Sequence, residues 1–166
     1  PADGSKVIVT DTDHLWGIGG DYRWVWKSFL RGLNPIFMDP YDGVVLDLRQ
    51  PQNWPALRRA MGDVLRLARR MNLAAMTPQG KLASTGYCLA QASKESAECL
   101  VYLPDGGKAT VDLSATPGPL VAEWFDPKTG KTVKDDSAVG GARREFKAPF
   151  AGDAVLRFTP SFRSNP

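Results

Sequence analysis

The sequence predicts an α/β segment followed by an all-β antiparallel sandwich, and three observations carry that reading. Residues 1–77 alternate β-branched runs with helix-like stretches, the pattern of two βα units. From Leu82 onward short strand candidates are separated by turn chemistry every 8 to 12 residues, the spacing of a sandwich or barrel. The composition shifts near Thr77 and Pro78, which sets the expected boundary between a 1–77 segment and a 78–166 β-domain.

Each element follows from its residues. KVIVT at 6–10 is a short β-branched run, as expected of a strand covered on both faces. After a polar, Gly-rich turn, YRWVWKSFLRGL at 22–33 reads as a helix with Asp21 as N-cap and Gly32 near its end. PIFMD at 35–39 is a second strand candidate, followed by the turn residues DPYDG. Asn53 caps a second helix, with Pro55 in its first turn. Its apolar stripe is Leu57, Met61, Val64, Leu65, Ala68 and Met71, with Arg58, Arg59, Arg66, Arg69 and Arg70 on the other side. That basic side is either a solvated face or a surface for an acidic partner. The β-domain has strand candidates at 86–92, 98–103, 109–113, 120–125, 131–133, 143–147 and 154–158. Their connections (PDGG, TPGP, DPKTG, VGGA, PFAGD) supply Pro to fix φ or Gly to allow positive φ. Seven strands in this span match the size of an Ig-like sandwich.

Composition narrows the classes. The 166 residues are 43% hydrophobic and 23% charged, an ordinary globular balance that excludes a disordered tail, a collagen-like repeat and a coiled coil. A net charge of +3 is too weak to argue for nucleic acid. The apolar runs fall well short of the ~20 residues that span a bilayer, so no membrane partner is expected. The opening PADGSK has no signal-peptide pattern; a chain whose signal had been removed would read the same, which leaves a secreted or periplasmic location open. Two cysteines, Cys88 and Cys99, make neither a disulfide framework nor a structural zinc site. A tight hairpin at 93–97 would set Cys99 opposite Gln91 and Cys88 opposite Tyr102, out of register for a bridge.

The densest polar–aromatic cluster is Asp11, Asp13, His14, Trp16 and Asp21, directly after the first strand. Asp39, Tyr41 and Asp42 hold the equivalent place after the second. In α/β folds, sites form at the carboxyl ends of strands, so two neighbouring parallel strands would bring both groups to one rim. Paired carboxylates are what glycoside hydrolysis needs: one protonates the leaving oxygen, the other attacks the anomeric carbon or activates water. Aromatic rings offer sugar C–H faces an apolar surface. Each Asp taken singly is equally a turn former or a cap. His14 is the only histidine, which argues against a zinc site and leaves Asp–His ligation of a harder ion as the alternative to the expectation of no metal or other cofactor. The G-x-S-x-G elbow of serine hydrolases is missing, and GIGG falls short of a dinucleotide fingerprint. Trp24, Trp26 and Phe29 on the first helix and Trp54 opening the second read as core residues. Trp124 is either a core Trp or an exposed sugar-stacking ring, because Leu120, Ala122 and Trp124 alternate with Val121, Glu123 and Phe125 and both sets are largely apolar.

VIVTDTDHLWGIGGDYRWVWKSFLRGLNPIFMDPYDG resembles the last two βα units of bacterial apiosidase-like (β/α)8 glycoside hydrolases. EWFDPKTGK with FAGDAVLRF resembles the β-sandwich that follows that barrel, often labelled a collagen-binding domain. The resemblance implies that 6–10 and 35–39 are the seventh and eighth barrel strands. Such glycosidases usually carry the nucleophilic carboxylate, commonly Glu, at the end of the seventh strand; Asp11 matches that place, with Asp13 the alternate. The acid normally comes from the fourth strand, which has no counterpart here, so Asp39 or Asp42 would have to serve in an isolated chain. Asp13, His14, Trp16, Tyr41 and Asp42 would line the sugar subsite, with Trp124 as a further sugar contact if its ring is exposed. The expected partner is a plant or microbial polysaccharide or oligosaccharide. The rival reading is a non-catalytic module that binds carbohydrate or collagen. Two βα units alone leave strand edges and helix faces open, so a homo-oligomer joined through residues 1–77 is expected, with Trp24, Trp26, Phe29 and the Leu57-to-Met71 stripe in the contact.

Overall fold

The computed structural model describes residues 2–11, 21–37, 54–91 and 98–161. It shows a small α/β segment followed by a β-sandwich, in three layers: two helices, a six-stranded antiparallel sheet and a two-stranded sheet.

The α/β segment contains β1 (Val9–Thr10) and β2 (Asn34–Pro35), paired in parallel with Val9 opposite Asn34 and Thr10 opposite Pro35. Between them runs α1 (Arg23–Leu30), whose first turn is held by Asp21 Oδ1 accepting the Arg23 N–H at 2.9 Å. The carboxylate thus caps from one residue before the helix N-cap, which is Tyr22. The helix ends in a Schellman arrangement: Leu33 N–H donates to Ser28 O and Gly32 N–H to Phe29 O, with Gly32 at φ +75°. Then comes α2 (Trp54–Ala68), with Pro55 in its first turn.

The six-stranded sheet has the order β3–β4–β5–β10–β7–β8, formed by β3 (Met76–Pro78), β4 (Cys88–Gln91), β5 (Cys99–Leu103), β10 (Ala154–Pro160), β7 (Pro119–Phe125) and β8 (Thr132–Val139). The second sheet pairs β6 (Lys108–Asp112) with β9 (Arg143–Lys147). β3 already belongs to the large sheet, so the sheet begins at Met76, before the 77/78 division read from composition.

Side-chain alternation divides the core into two. Cys88, Ala90, Val101, Leu103, Leu120, Ala122, Trp124, Leu156 and Phe158 point between the sheets, toward Ala109 and Val111 of β6. Leu89, Leu100, Tyr102 and Val155 point the other way and bury Val25, Trp26, Phe29 and Leu30 of α1 with Leu57, Ala60, Val64 and Leu67 of α2. β5 is therefore buried at all five positions, which is why CLVYL reads as an unbroken apolar run.

Three expectations change. The helix faces expected to lie open for self-association are covered by the sandwich, because the large sheet offers a second apolar face. The buried positions of α2 include Ala60, Asp63 and Leu67, whereas Leu65 is 51% exposed: the sheet meets the helix along Leu57, Ala60, Val64 and Leu67. KVIVT is not covered on both faces, since Val7, Ile8 and Val9 are 82%, 40% and 57% exposed and β1 pairs only with β2 among the described residues.

Candidate functional site

The strand-end site rests on β1 and β2. Asn34 N–H donates to Ile8 O and Ile36 N–H to Thr10 O, each at 2.8 Å, so the two strands run side by side to their carboxyl ends. Asp11 follows Thr10 at that end and is half-buried. The other strand-end candidates, Asp13, His14, Trp16, Asp39, Tyr41 and Asp42, lie outside the described residues. Trp124 does not join them. It sits at 5% exposure in the core between the sheets, opposite Leu156 on β10 and Val133 on β8. The two faces of β7 are resolved by their partners: Leu120, Ala122 and Trp124 meet the second sheet, while Glu123 and Phe125 face the helices. A ring so placed has no free face for a sugar.

The helix–sandwich junction carries polar chemistry that the sequence reading did not assign. Asp153, 3% exposed, accepts the Tyr22 hydroxyl at 2.7 Å on one oxygen and the Tyr102 hydroxyl at 2.9 Å on the other. Burial, reinforced by Asp153, pushes the Tyr22 phenol up to about 12 and the Tyr102 phenol higher still. Asp153 is positioned by the PFAGD turn, which packs against the PDGG turn. A Cβ on Gly106 would lie 1.9 Å from Gly152 O, so only glycine permits that approach. Its place in FAGDAVLRF was the available signal.

Beside this cluster lies a cleft of about 420 Å³, bordered by Tyr22, Arg23, Arg59, Lys128, Gly152 and Asp153. Arg23 stands 3.8 Å from Asp21, and Arg59 donates to Lys128 O at 3.1 Å. The rim thus carries three cations, Arg23, Arg59 and Lys128, beside the carboxylates of Asp21 and Asp153.

A second set of contacts fastens the end of α2. Arg157 Nε donates to Glu98 Oε1 at 2.7 Å and its Nη2 to Arg70 O at 2.8 Å. Glu98 Oε2 accepts the Asn72 N–H at 3.3 Å, and Arg70 pairs with Glu123 at 2.9 Å. Asp63 pairs with Arg66 on the same helix, and burial pushes its carboxyl up. Part of the arginine face of α2 is therefore spent within the chain. Among the described residues no group of His, Cys, Asp and Glu is arranged to hold a metal ion, and no helix is long and apolar enough to cross a membrane.

A family model described as "Putative collagen-binding domain of a collagenase" matches residues 79–156. A solved structure titled "Glycoside hydrolase" superposes with a TM-score of 0.63 at 17% identity, over 86% of this chain and 36% of that one. A glycoside hydrolase family 5 structure from Bacteroides vulgatus ATCC 8482 gives a TM-score of 0.60 at 18% identity, again over 86% and 36%. No curated protein matches the sequence. This chain spans little more than a third of the length of those two structures. Its fold is one found within glycoside hydrolase structures, and its β-domain is like the collagen-binding one.

Proposed function

We propose that this chain is the C-terminal part of a glycoside hydrolase acting on plant or microbial polysaccharide, with the sandwich bracing the last two βα units of a (β/α)8 barrel. The observation that supports it best is the parallel β1–β2 pair with Asp11 at its carboxyl end, packed through α1 and α2 onto a sandwich, within a fold shared with two solved glycoside hydrolases over 86% of the chain. The apiosidase-like type is the finer form of the same reading and rests on the sequence at 7–43.

In this reading Asp11 is the nucleophile or charge stabiliser, with Asp13 as alternate, and Asp39 or Asp42 protonates the leaving oxygen if the chain acts alone. His14, Trp16 and Tyr41 shape the sugar subsite. A buried carboxylate bonded to two tyrosines and an Arg157–Glu98 pair fix the helices on the sheet, which is how a non-catalytic sandwich would hold a strand-end carboxylate in place. The family match over residues 79–156 favours a second reading, a module that binds collagen or carbohydrate without cleaving it.

A reducing-sugar assay on an oligosaccharide panel, run beside titration with the same sugars and collagen, separates the two. The first reading expects hydrolysis that Asp11→Asn abolishes, because the glycosyl-enzyme bond can no longer form, with a nearly unchanged melting temperature. Full activity in both Asp11→Asn and Asp13→Asn overturns the strand-end site. Binding with no hydrolysis of any sugar supports the second reading.

A further inference from the structure

Cys88 and Cys99 sit eleven positions apart in sequence on neighbouring strands. The observed ladder sets Cys88 opposite Val101 and Cys99 opposite Ala90. This differs by one residue from the register expected of a tight 93–97 hairpin, and a one-residue slip turns a side chain to the other face. Both cysteines consequently point into the core between the sheets as diagonal neighbours, with their Sγ atoms 3.3 Å apart. No bond joins them in this structure, and both are buried, Cys88 at 0% exposure and Cys99 at 7%.

A disulfide has a sulfur–sulfur distance of about 2.05 Å, so each sulfur needs to move by less than about 1 Å to reach bonding distance. The case for a bond rests on the shared face and the short sulfur–sulfur distance, because a buried Cys can also pack as a small hydrophobe. We propose that Cys88 and Cys99 form a cross-strand disulfide, closed by exchange with a small-molecule disulfide while the chain folds.

The exchange balances without any further reactant. One cysteine, as thiolate, attacks the small disulfide RS–SR, giving a mixed disulfide and releasing RS⁻. The second cysteine attacks the protein sulfur of that mixed bond, expelling another RS⁻ and leaving Sγ–Sγ. Two protein thiols are oxidised, one disulfide is reduced to two thiols, and the two cysteine protons pass to the two leaving thiolates. Either cysteine can attack first in the unfolded chain, and the other then resolves the mixed disulfide.

The folded chain is a poor place to start. The thiol–thiol contact and burial hold the Cys99 thiol above its ordinary range, so the thiolate that must attack is scarce there. Oxidation therefore belongs to the unfolded or partly folded chain, and the native ladder then retains the bond by holding the sulfurs together and shielding them from reductant.

The test compares folded and unfolded chain at one redox poise. The full chain is unfolded in guanidinium and either refolded or kept unfolded in the same mixture of reduced and oxidised glutathione, then acid-quenched, alkylated and weighed by mass spectrometry. The expected product of refolding is an unalkylated chain two hydrogens lighter. Its intramolecular effective concentration should exceed that of the unfolded chain by tenfold or more. An equal or lower ratio in the folded chain, or a refolded chain that keeps two alkylatable thiols or two bound glutathiones, overturns the proposal. Cys88→Ala and Cys99→Ala, checked for folding by circular dichroism, should each give one alkylated or glutathionylated thiol and none of the lighter species. Finding the lighter mass in either would assign it to another reaction and likewise overturn the proposal.

Discussion

Asp153 is the residue on which the helix layer and the sandwich meet. Its two oxygens take two tyrosine hydroxyls from different elements, one from the start of α1 and one from β5. Both phenols are held protonated above their ordinary range, Tyr22 to about 12, chiefly by burial and then by the neighbouring carboxylate. The linkage has a definite sign. The folded chain keeps these protons to higher pH than the unfolded chain, so the contribution is complete below the unfolded value of 10.0 and is lost as pH rises through about 12. Guanidinium unfolding midpoints should stay level to about pH 10 and then fall. Tyr22→Phe should make that fall shallower; an unchanged slope in Tyr22→Phe would remove Tyr22 from the alkaline transition. Asp153 itself was visible in the sequence only as one residue of a turn, since nothing local announces that two tyrosines 131 and 51 positions away will share it.

At the scale of the element, α1 carries the junction. Trp26 is fully buried, with its ring 6.2 Å from that of Tyr102 and 5.7 Å from that of Phe125. Truncating it removes the largest side chain between the helices and the sheet. Trp26→Ala should cost about 3–5 kcal/mol of unfolding free energy, in the range of large-to-small aromatic truncations. Leu65→Ala, on the exposed side of α2, should cost well under about 1 kcal/mol in the same denaturant series. A loss of similar size at both positions would show that the helices do not pack on the sheet as described. That α1 is a helix was legible from Asp21, the aromatic spacing and Gly32. Which face of α2 docks was not, because Leu65, Met61 and Leu67 are equally apolar in composition and the choice among them is made by Leu89, Leu100 and Val155 across the interface.

For the whole molecule, the apolar surface that remains is different from the one expected. The sandwich covers the helices, but Val7, Ile8, Val9 and Ile36 stay exposed along β1 and β2. A short parallel pair with apolar residues outward, and with no further strand beside it among the described residues, is a surface on which chains associate. The full chain should therefore form a dimer or higher oligomer through this ladder, measured by light scattering at micromolar concentration. Val9→Lys should shift the chain toward monomer without lowering the melting temperature by more than a degree or two, being an exposed change. A monomer in the unmodified chain would sink this expectation and leave the ladder a solvent-facing surface.

Most elements were legible locally in the sequence by itself, but β3 (Met76–Pro78) was not expected at all and only the start of β8 (Thr132–Val139) was. Period-2 and helical periodicity, Pro55 at a helix start, Gly32 at a helix end and the Gly-containing turns are local signals, and each is written within a few residues. Tertiary structure alone decided which of two apolar faces each central strand turns inward. Trp124 lies between the sheets, Cys88 and Cys99 share a face, and β3 joins the sheet from what read as the other domain. The physical reason is that a sheet covered on both sides carries apolar residues on both sides, so alternation no longer distinguishes in from out. The choice then passes to register and to the helices that close the second face, and both depend on residues far away in the chain.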